Sequence, residues 1–282
     1  MKILITGASG LLGTAMIREW SPRHSIVPLS HEDIELEDPA GIEKIIEEAR
    51  PDVVVHTAAW TDVDGCERDP ARATRVNAIA SGRIAAASGR VGAACVYIST
   101  DSVFEGSRGN YSESDVAEPV NLYSKSKLDG EREVLAQNSH AIVARVSLEG
   151  WRPNGKPGFV HWVVQGLERG ERLTICTDWI RSVVFAPNVA TALETMWNAR
   201  LSGVFHVAPP ESISNFDLAT MTAEVFGLDA SGLVPISGDS LKLSARRPKN
   251  TSLNNHKLTA AVGPVVGSIR DGLIAMKRNR AD

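Results

Sequence analysis

Short apolar runs alternate with amphipathic stretches through the first half of the chain. Lys2–Thr6, Ser25–Leu29, Val53–Thr57, Ala94–Ser99 and Ala141–Val146 read as strands. They are apolar along nearly their whole length, which fits burial on both faces, as in a parallel sheet covered by helices. Between them lie stretches with helical spacing: Leu12–Trp20, Pro39–Ala49, Pro70–Ser88 and Leu122–Ala136. Pro39 and Pro70 each follow an aspartate, the expected order of N-cap and first helical residue. The alternation predicts an α/β fold with a doubly wound parallel sheet.

After Ser147 the rhythm breaks. Trp151 to Gly158 is rich in glycine and proline and reads as a loop leaving the sheet. A helix (Phe159–Arg169), a strand (Arg172–Cys176), a helix (Pro187–Ala199) and a strand (Gly203–Val207) are expected next. Helices over Asn215–Phe226 and Val265–Lys277 follow. The pattern predicts a sheet domain over 1–150 and 181–207, interleaved with a smaller C-terminal domain over 151–180 and 208–282.

Composition narrows the class. With 43% hydrophobic and 23% charged residues, the 282-residue chain has the makeup of an ordinary globular protein. Its formal net charge of −4 gives no basic field to recruit nucleic acid or an anionic membrane surface. No run of about 18 apolar residues occurs, so no membrane span is expected. Three widely spaced cysteines, Cys66, Cys95 and Cys176, suit neither a disulfide framework nor a metal site. Together with the absence of a charged, apolar leader, they point to a reducing cytoplasm.

The first strand runs directly into Thr6-Gly7-Ala8-Ser9-Gly10-Leu11-Leu12-Gly13. Glycines at this spacing allow a tight turn, close backbone approach to a pyrophosphate and close packing of the next helix on the strand. The helix N-terminus adds free N–H groups and positive dipole. Placed between a strand and a helix, Gly7, Ser9, Gly10, Leu11, Leu12 and Gly13 form a candidate dinucleotide site on a Rossmann-type fold. The second strand ends in Ser30-His31-Glu32-Asp33. Ser30 and His31 would tolerate the 2′-phosphate of NADP, whereas Glu32 or Asp33 would serve the 2′-hydroxyl of NAD. Both remain open, with NADPH the first expectation and NADH the second.

Tyr123 and Lys127 stand four apart in the helix over Leu122–Ala136 and so share one face. An ammonium about 5 Å from a phenol, at an effective dielectric of about 20, favours the phenolate by roughly 3 kcal/mol, or about two pKa units. This predicts a phenol tuned for acid–base work, protonating a carbonyl oxygen as hydride arrives, with Lys127 holding the nicotinamide ribose. Thr100 closes a strand at its C-terminal end, where such sheets bind ligands. Its hydroxyl, with Asp101 and Ser102 beside it, is expected to face the substrate.

These motifs resemble those of the extended short-chain dehydrogenase/reductases, and within them the dTDP-4-dehydrorhamnose reductase group. The likeness also takes in Arg50 to Asp64, Asn77, Ser99 to Phe104, Pro119 to Lys127, Gly203 to Val207 and Arg247 to Leu253. It implies that Ala58, Ala59 and Thr61 line the cofactor, and that Thr100, Tyr123 and Lys127 are catalytic. It further implies a nucleotide-linked 4-keto sugar as substrate, held by the smaller domain, with Arg247 on its diphosphate. Asn77 is assigned either a proton relay or helix packing. A homodimer is the base-rate assembly.

Three departures face the substrate. Ser102 replaces the tyrosine of the pattern, and Leu148 replaces a tryptophan. Asp178 to Val184 replaces Asp-Gln-x-Gly-x-Pro-Thr. The reaction class is therefore better supported than the substrate. A reductase of a non-sugar carbonyl, a nucleotide-sugar epimerase or dehydratase, and a non-catalytic NADP-binding regulatory subunit stand as alternatives. Against a dehydratase, Ser102 lies where a glutamate base would be needed.

Overall fold

Strands without a polar interruption need covering on both sides, and the chain supplies that cover one helix at a time. The computed structural model describes residues 1–38, 40–152 and 157–280. Along the first half run β1 (Lys2–Thr6), α1 (Leu11–Trp20), β2 (Ser25–Leu29), α2 (Ala40–Ala49), β3 (Val53–His56), α3 (Val63–Arg68), α4 (Pro70–Thr74) and α5 (Ala80–Arg90). β4 (Ala94–Thr100), α6 (Leu122–Gln137) and β5 (Ile142–Glu149) complete it. The second half holds α7 (Phe159–Glu168), β6 (Leu173–Cys176), β7 (Ile180–Arg181), β8 (Val183–Phe185), α8 (Ala186–Asn198) and β9 (Gly203–His206). Then come β10 (Ile213–Ser214), α9 (Asn215–Phe226), β11 (Leu233–Ile236), α10 (His256–Val262) and α11 (Ile269–Arg278).

The main sheet is parallel, in the order β2-β1-β3-β4-β5-β8, with β9 also on β5. Alternate residues feed two cores. Ile3, Ile5, Val53, Val55 and Val96 pack toward α1 and α8, while Leu4 and Val54 meet Ile42, Ile46 and Ile84 of α2 and α5. The strand order reverses at β1, so a crevice opens beyond the C-terminal ends of β1 and β3. Two small sheets, β6 with β11 and β7 with β10, lie outside the main one.

The predicted helix over Pro70–Ser88 does not run straight. Asp69 caps it through its bond to the Arg72 N–H, but Arg75–Ile79 winds as a π-helical turn before α5 begins. The helix predicted from Val265 starts at Ile269, where the Ser268 hydroxyl accepts the Asp271 N–H; Pro264 and Gly267 precede it and do not favour helix. α3 and α10 went unpredicted, since a helix of six or seven residues shows too little periodicity. Pro39 and the stretch 153–156 of the expected loop lie outside the described residues. Among the described residues, no helix is long and apolar enough to cross a membrane.

Candidate active site

The turn after β1 is shaped by crowding. Gly7 has φ of +70°, and a Cβ there would sit 2.6 Å from Thr57 Oγ1. A Cβ on Gly13 would strike the Gly7 carbonyl, so α1 lies against the strand end as closely as backbone allows. Gly10 caps α1 with no side-chain bond, leaving the first helical N–H groups free of a side-chain acceptor. Beyond this turn lies a cleft of about 710 Å³. Gly7, Ser9, Gly10, Leu11 and Leu12 line it, and Ala58, Ala59 and Thr61 face it from the loop after β3. A bare helix N-terminus beside a turn with no room for side chains fits a dinucleotide pyrophosphate.

Ser30 and His31 reach this cleft, whereas Glu32 and Asp33 are not among its lining. The Asp33 carboxylate instead accepts from the Ser30 N–H (2.7 Å) and hydroxyl (2.8 Å). Those bonds, the backbone one foremost, hold its pKa below the ordinary aspartate value.

Asn77 sits on the π-helical turn, fully buried. Its Oδ1 accepts the Trp60 N–H (2.8 Å), and its Nδ2 donates to the Trp60 carbonyl (3.0 Å) and to Ser126 Oγ (2.9 Å). One side chain thus ties the loop after β3 to α6. That is a positioning role, and neither of the two expected roles describes it fully.

At the other end of the cleft stand Thr100, Asp101, Tyr123 and Lys127. Thr100 ends β4, and Tyr123 opens α6, whose N-cap Asn121 accepts the Ser124 N–H at 2.8 Å. Lys127 is buried, donates to the Ile98 carbonyl (2.8 Å) and lies 4.0 Å from the centre of the Tyr97 ring. Burial pulls its pKa down to about 7. Burial also pushes the Tyr123 phenol well above its ordinary value; the negative charge of Asp101 adds to this and a hydrogen bond with Thr100 opposes it. The expected downward tuning of Tyr123 is therefore corrected. Desolvation is the largest effect on the phenol and favours its protonated form.

The RmlD substrate binding domain family matches this chain over residues 1–280. The protein belongs to that family. A dTDP-4-dehydrorhamnose reductase from Burkholderia thailandensis is 35% identical over 93% of each chain. Methionine adenosyltransferase 2 subunit beta from Rattus norvegicus is 34% identical, over 93% of this chain and 83% of that one. Among solved structures, dTDP-4-dehydrorhamnose reductase from Bacillus anthracis str. Ames, in complex with NADP, has a TM-score of 0.93 over 99% of both chains at 28% identity. The expected extended short-chain dehydrogenase/reductase resemblance and Rossmann-type sheet are borne out.

Within this RmlD-type fold, Gly13 serves the close helix packing that the glycine spacing implied and does not line the cleft. Two assigned residues sit elsewhere than expected. Ser102 is turned onto Thr100 Oγ1 (3.0 Å) and receives the Ser124 hydroxyl (2.9 Å), so its short side chain is spent inside the protein. Arg247 pairs with Asp64 (3.3 Å) and donates to the Ala245 carbonyl (2.8 Å), away from the cleft lining; those two partners hold it there. The neighbouring Thr251 matters more, because its hydroxyl donates to the Asp101 carboxylate. Sequence reasoning also missed Arg181 and Arg152, both on the cleft wall. The one available signal was that Arg181 replaces a glycine of the pattern.

Proposed function

We propose that this protein is an NADPH-dependent reductase that delivers hydride to the keto group of a nucleotide-linked sugar, with Tyr123 as proton donor. The reading is carried by one observation: the glycine turn and Thr100, Tyr123 and Lys127 line the same cleft. The names of the Burkholderia and Bacillus relatives point to the same chemistry. Residues 1–150 and 181–207 hold the cofactor in this reading, and 151–180 and 208–282 hold the substrate. NADPH is preferred because Ser30 and His31 face the cleft while Asp33 is occupied by Ser30.

When bound, the reduced nicotinamide supplies hydride to the carbonyl carbon. The chain does the rest. Tyr123, protonated at neutral pH, gives its proton to the carbonyl oxygen, and the Thr100 hydroxyl orients that oxygen. Lys127, anchored on the Ile98 carbonyl, directs its ammonium to the ribose. A second reading, a regulatory subunit without turnover, is favoured only by the likeness to methionine adenosyltransferase 2 subunit beta.

The test follows the loss of reduced-nicotinamide absorbance with NADPH and NADH against dTDP-linked 4-keto sugars and small ketones. Oxidation with a keto sugar supports the reductase. Tight NADPH binding with no turnover on any substrate favours the regulatory reading.

Lys127 supplies a further expectation. Its charge is present below about pH 7 and lost above it, since burial depresses the pKa. NADPH affinity of the free protein should fall as pH rises through that value. Lys127→Ala should cost roughly tenfold to hundredfold in affinity, the value of a hydrogen bond from a charged donor, and flatten the pH dependence. A fluorescence titration giving wild-type affinity in the variant would remove the ribose contact.

A further inference from the structure

The segment Asp178 to Val184 departs most from the resembled pattern, and its Arg181 lines the same cleft as Thr100 and Tyr123. The backbone around it is pinned. Ile180 N–H donates to the Lys249 carbonyl (2.7 Å), Thr251 N–H donates to the Ile180 carbonyl (3.0 Å), and β7 pairs with β10. The side chain, 25% exposed, touches Asn215, Phe159 and, more distantly, the Glu149 carboxylate. Asn215 Oδ1 accepts from Nε (3.2 Å) and Nη2 (3.1 Å), and the Phe159 ring centre lies 5.8 Å from Cζ.

The same protein shows what a structural arginine looks like. Arg145 meets Glu131 with two bonds of 2.9 and 2.7 Å, both side chains buried. Arg181 approaches its carboxylate, Glu149, only to 3.5 Å, and its Nη1 reaches Ser147 Oγ only at 3.5 Å. Charge-assisted bonds ordinarily close to about 2.7–2.9 Å. Arg181 is thus fixed in place, and its ion pair with Glu149, at 3.5 Å, is longer than that of Arg145 with Glu131 at 2.7 Å.

Its position says where an anion would lie. Ser147, beside Nη1, also bonds Asp101, whose Oδ1 accepts the Thr100 hydroxyl at 3.2 Å. Two intervening side chains therefore separate the guanidinium from the hydroxyl assigned to the reacting oxygen. A substituent close to the carbonyl falls within reach, and Arg152 lines the same cleft.

We propose that the substrate carries a carboxylate near its keto group and that Arg181 is the specificity-determining residue that binds it. This rests on the reductase reading for the nature of the substrate. An anionic partner of Arg181 has two sources, a sugar carboxylate or the diphosphate of the nucleotide, and a binding experiment separates them.

Calorimetric titrations of the NADP⁺-loaded protein would compare dTDP-glucuronate, dTDP-glucose and dTDP alone. The wild type should bind the glucuronate roughly tenfold to hundredfold more tightly than the glucoside. Arg181→Met should erase that gap and leave dTDP affinity unchanged, while Arg181→Lys restores part of the gap. Equal binding of the two sugars by the wild type overturns the proposal, whatever the variants do. An equal loss for dTDP and dTDP-glucuronate in Arg181→Met also overturns it, by placing the guanidinium on the diphosphate. Preference for the glucuronate, without NADPH oxidation by any keto sugar, would sink the reductase reading and leave the carboxylate site standing.

Discussion

Tyr123→Phe should lower kcat by roughly 10²- to 10⁴-fold, the usual worth of a positioned acid, and leave NADPH affinity near wild type. The substitution keeps the ring and removes only the hydroxyl, so packing at the start of α6 is preserved. Its effect is expected on kcat rather than KM, since proton donation matters only as the carbonyl accepts hydride. The pH profile sharpens the test. The phenol is pushed above its ordinary value, so it remains a donor throughout the neutral and mildly alkaline range. Rate lost on raising pH through 7 should therefore track Lys127, whose charge disappears there, and not Tyr123. Steady-state kinetics with a keto-sugar substrate check both points. Turnover of Tyr123→Phe within a few-fold of wild type would remove the phenol from the mechanism.

The fold was largely legible because its signals are local. Five apolar strands, the glycine turn and the helix carrying Tyr123 and Lys127 each announce themselves within a window of a dozen residues. The cofactor half of the cleft follows from them, since Gly7 to Leu12 and Ala58 to Thr61 flank the point where strand order reverses. What local pattern could not give was desolvation. Lys127 lies four residues from Tyr123, yet its burial and its bond to Ile98 depend on β4, about 30 positions away. The same limit explains Arg247. Its basic cluster invites a phosphate, but Asp64, far off in sequence, claims it. Arg181 was visible only as a break in pattern, because its partners Glu149 and Asn215 come from distant segments.

α6 carries a third chemical group on the face that holds Tyr123 and Lys127. Glu131, one further turn along, is buried and takes two bonds from Arg145 of β5 together with the Ser99 hydroxyl. Its charge also raises the Lys127 pKa, against the larger effect of burial. Arg145 in turn lies 5.1 Å from the Phe104 ring centre and helps keep His206 neutral; burial first and the guanidinium second push that imidazole down to about 3. Glu131→Ala leaves Arg145 charged and unpaired in the interior, so it should destabilise the protein by about 3–5 kcal/mol. In a chain of this size that is a fall of roughly 10 °C in Tm, readable by differential scanning calorimetry. Removing both charges, as Glu131→Leu with Arg145→Leu, should recover most of the loss, because the cost is that of an orphaned charge rather than of a missing attraction. A single variant as stable as wild type would show that Arg145 finds water or another anion. The pair would then not be what fixes α6, with its phenol and amine, against β5.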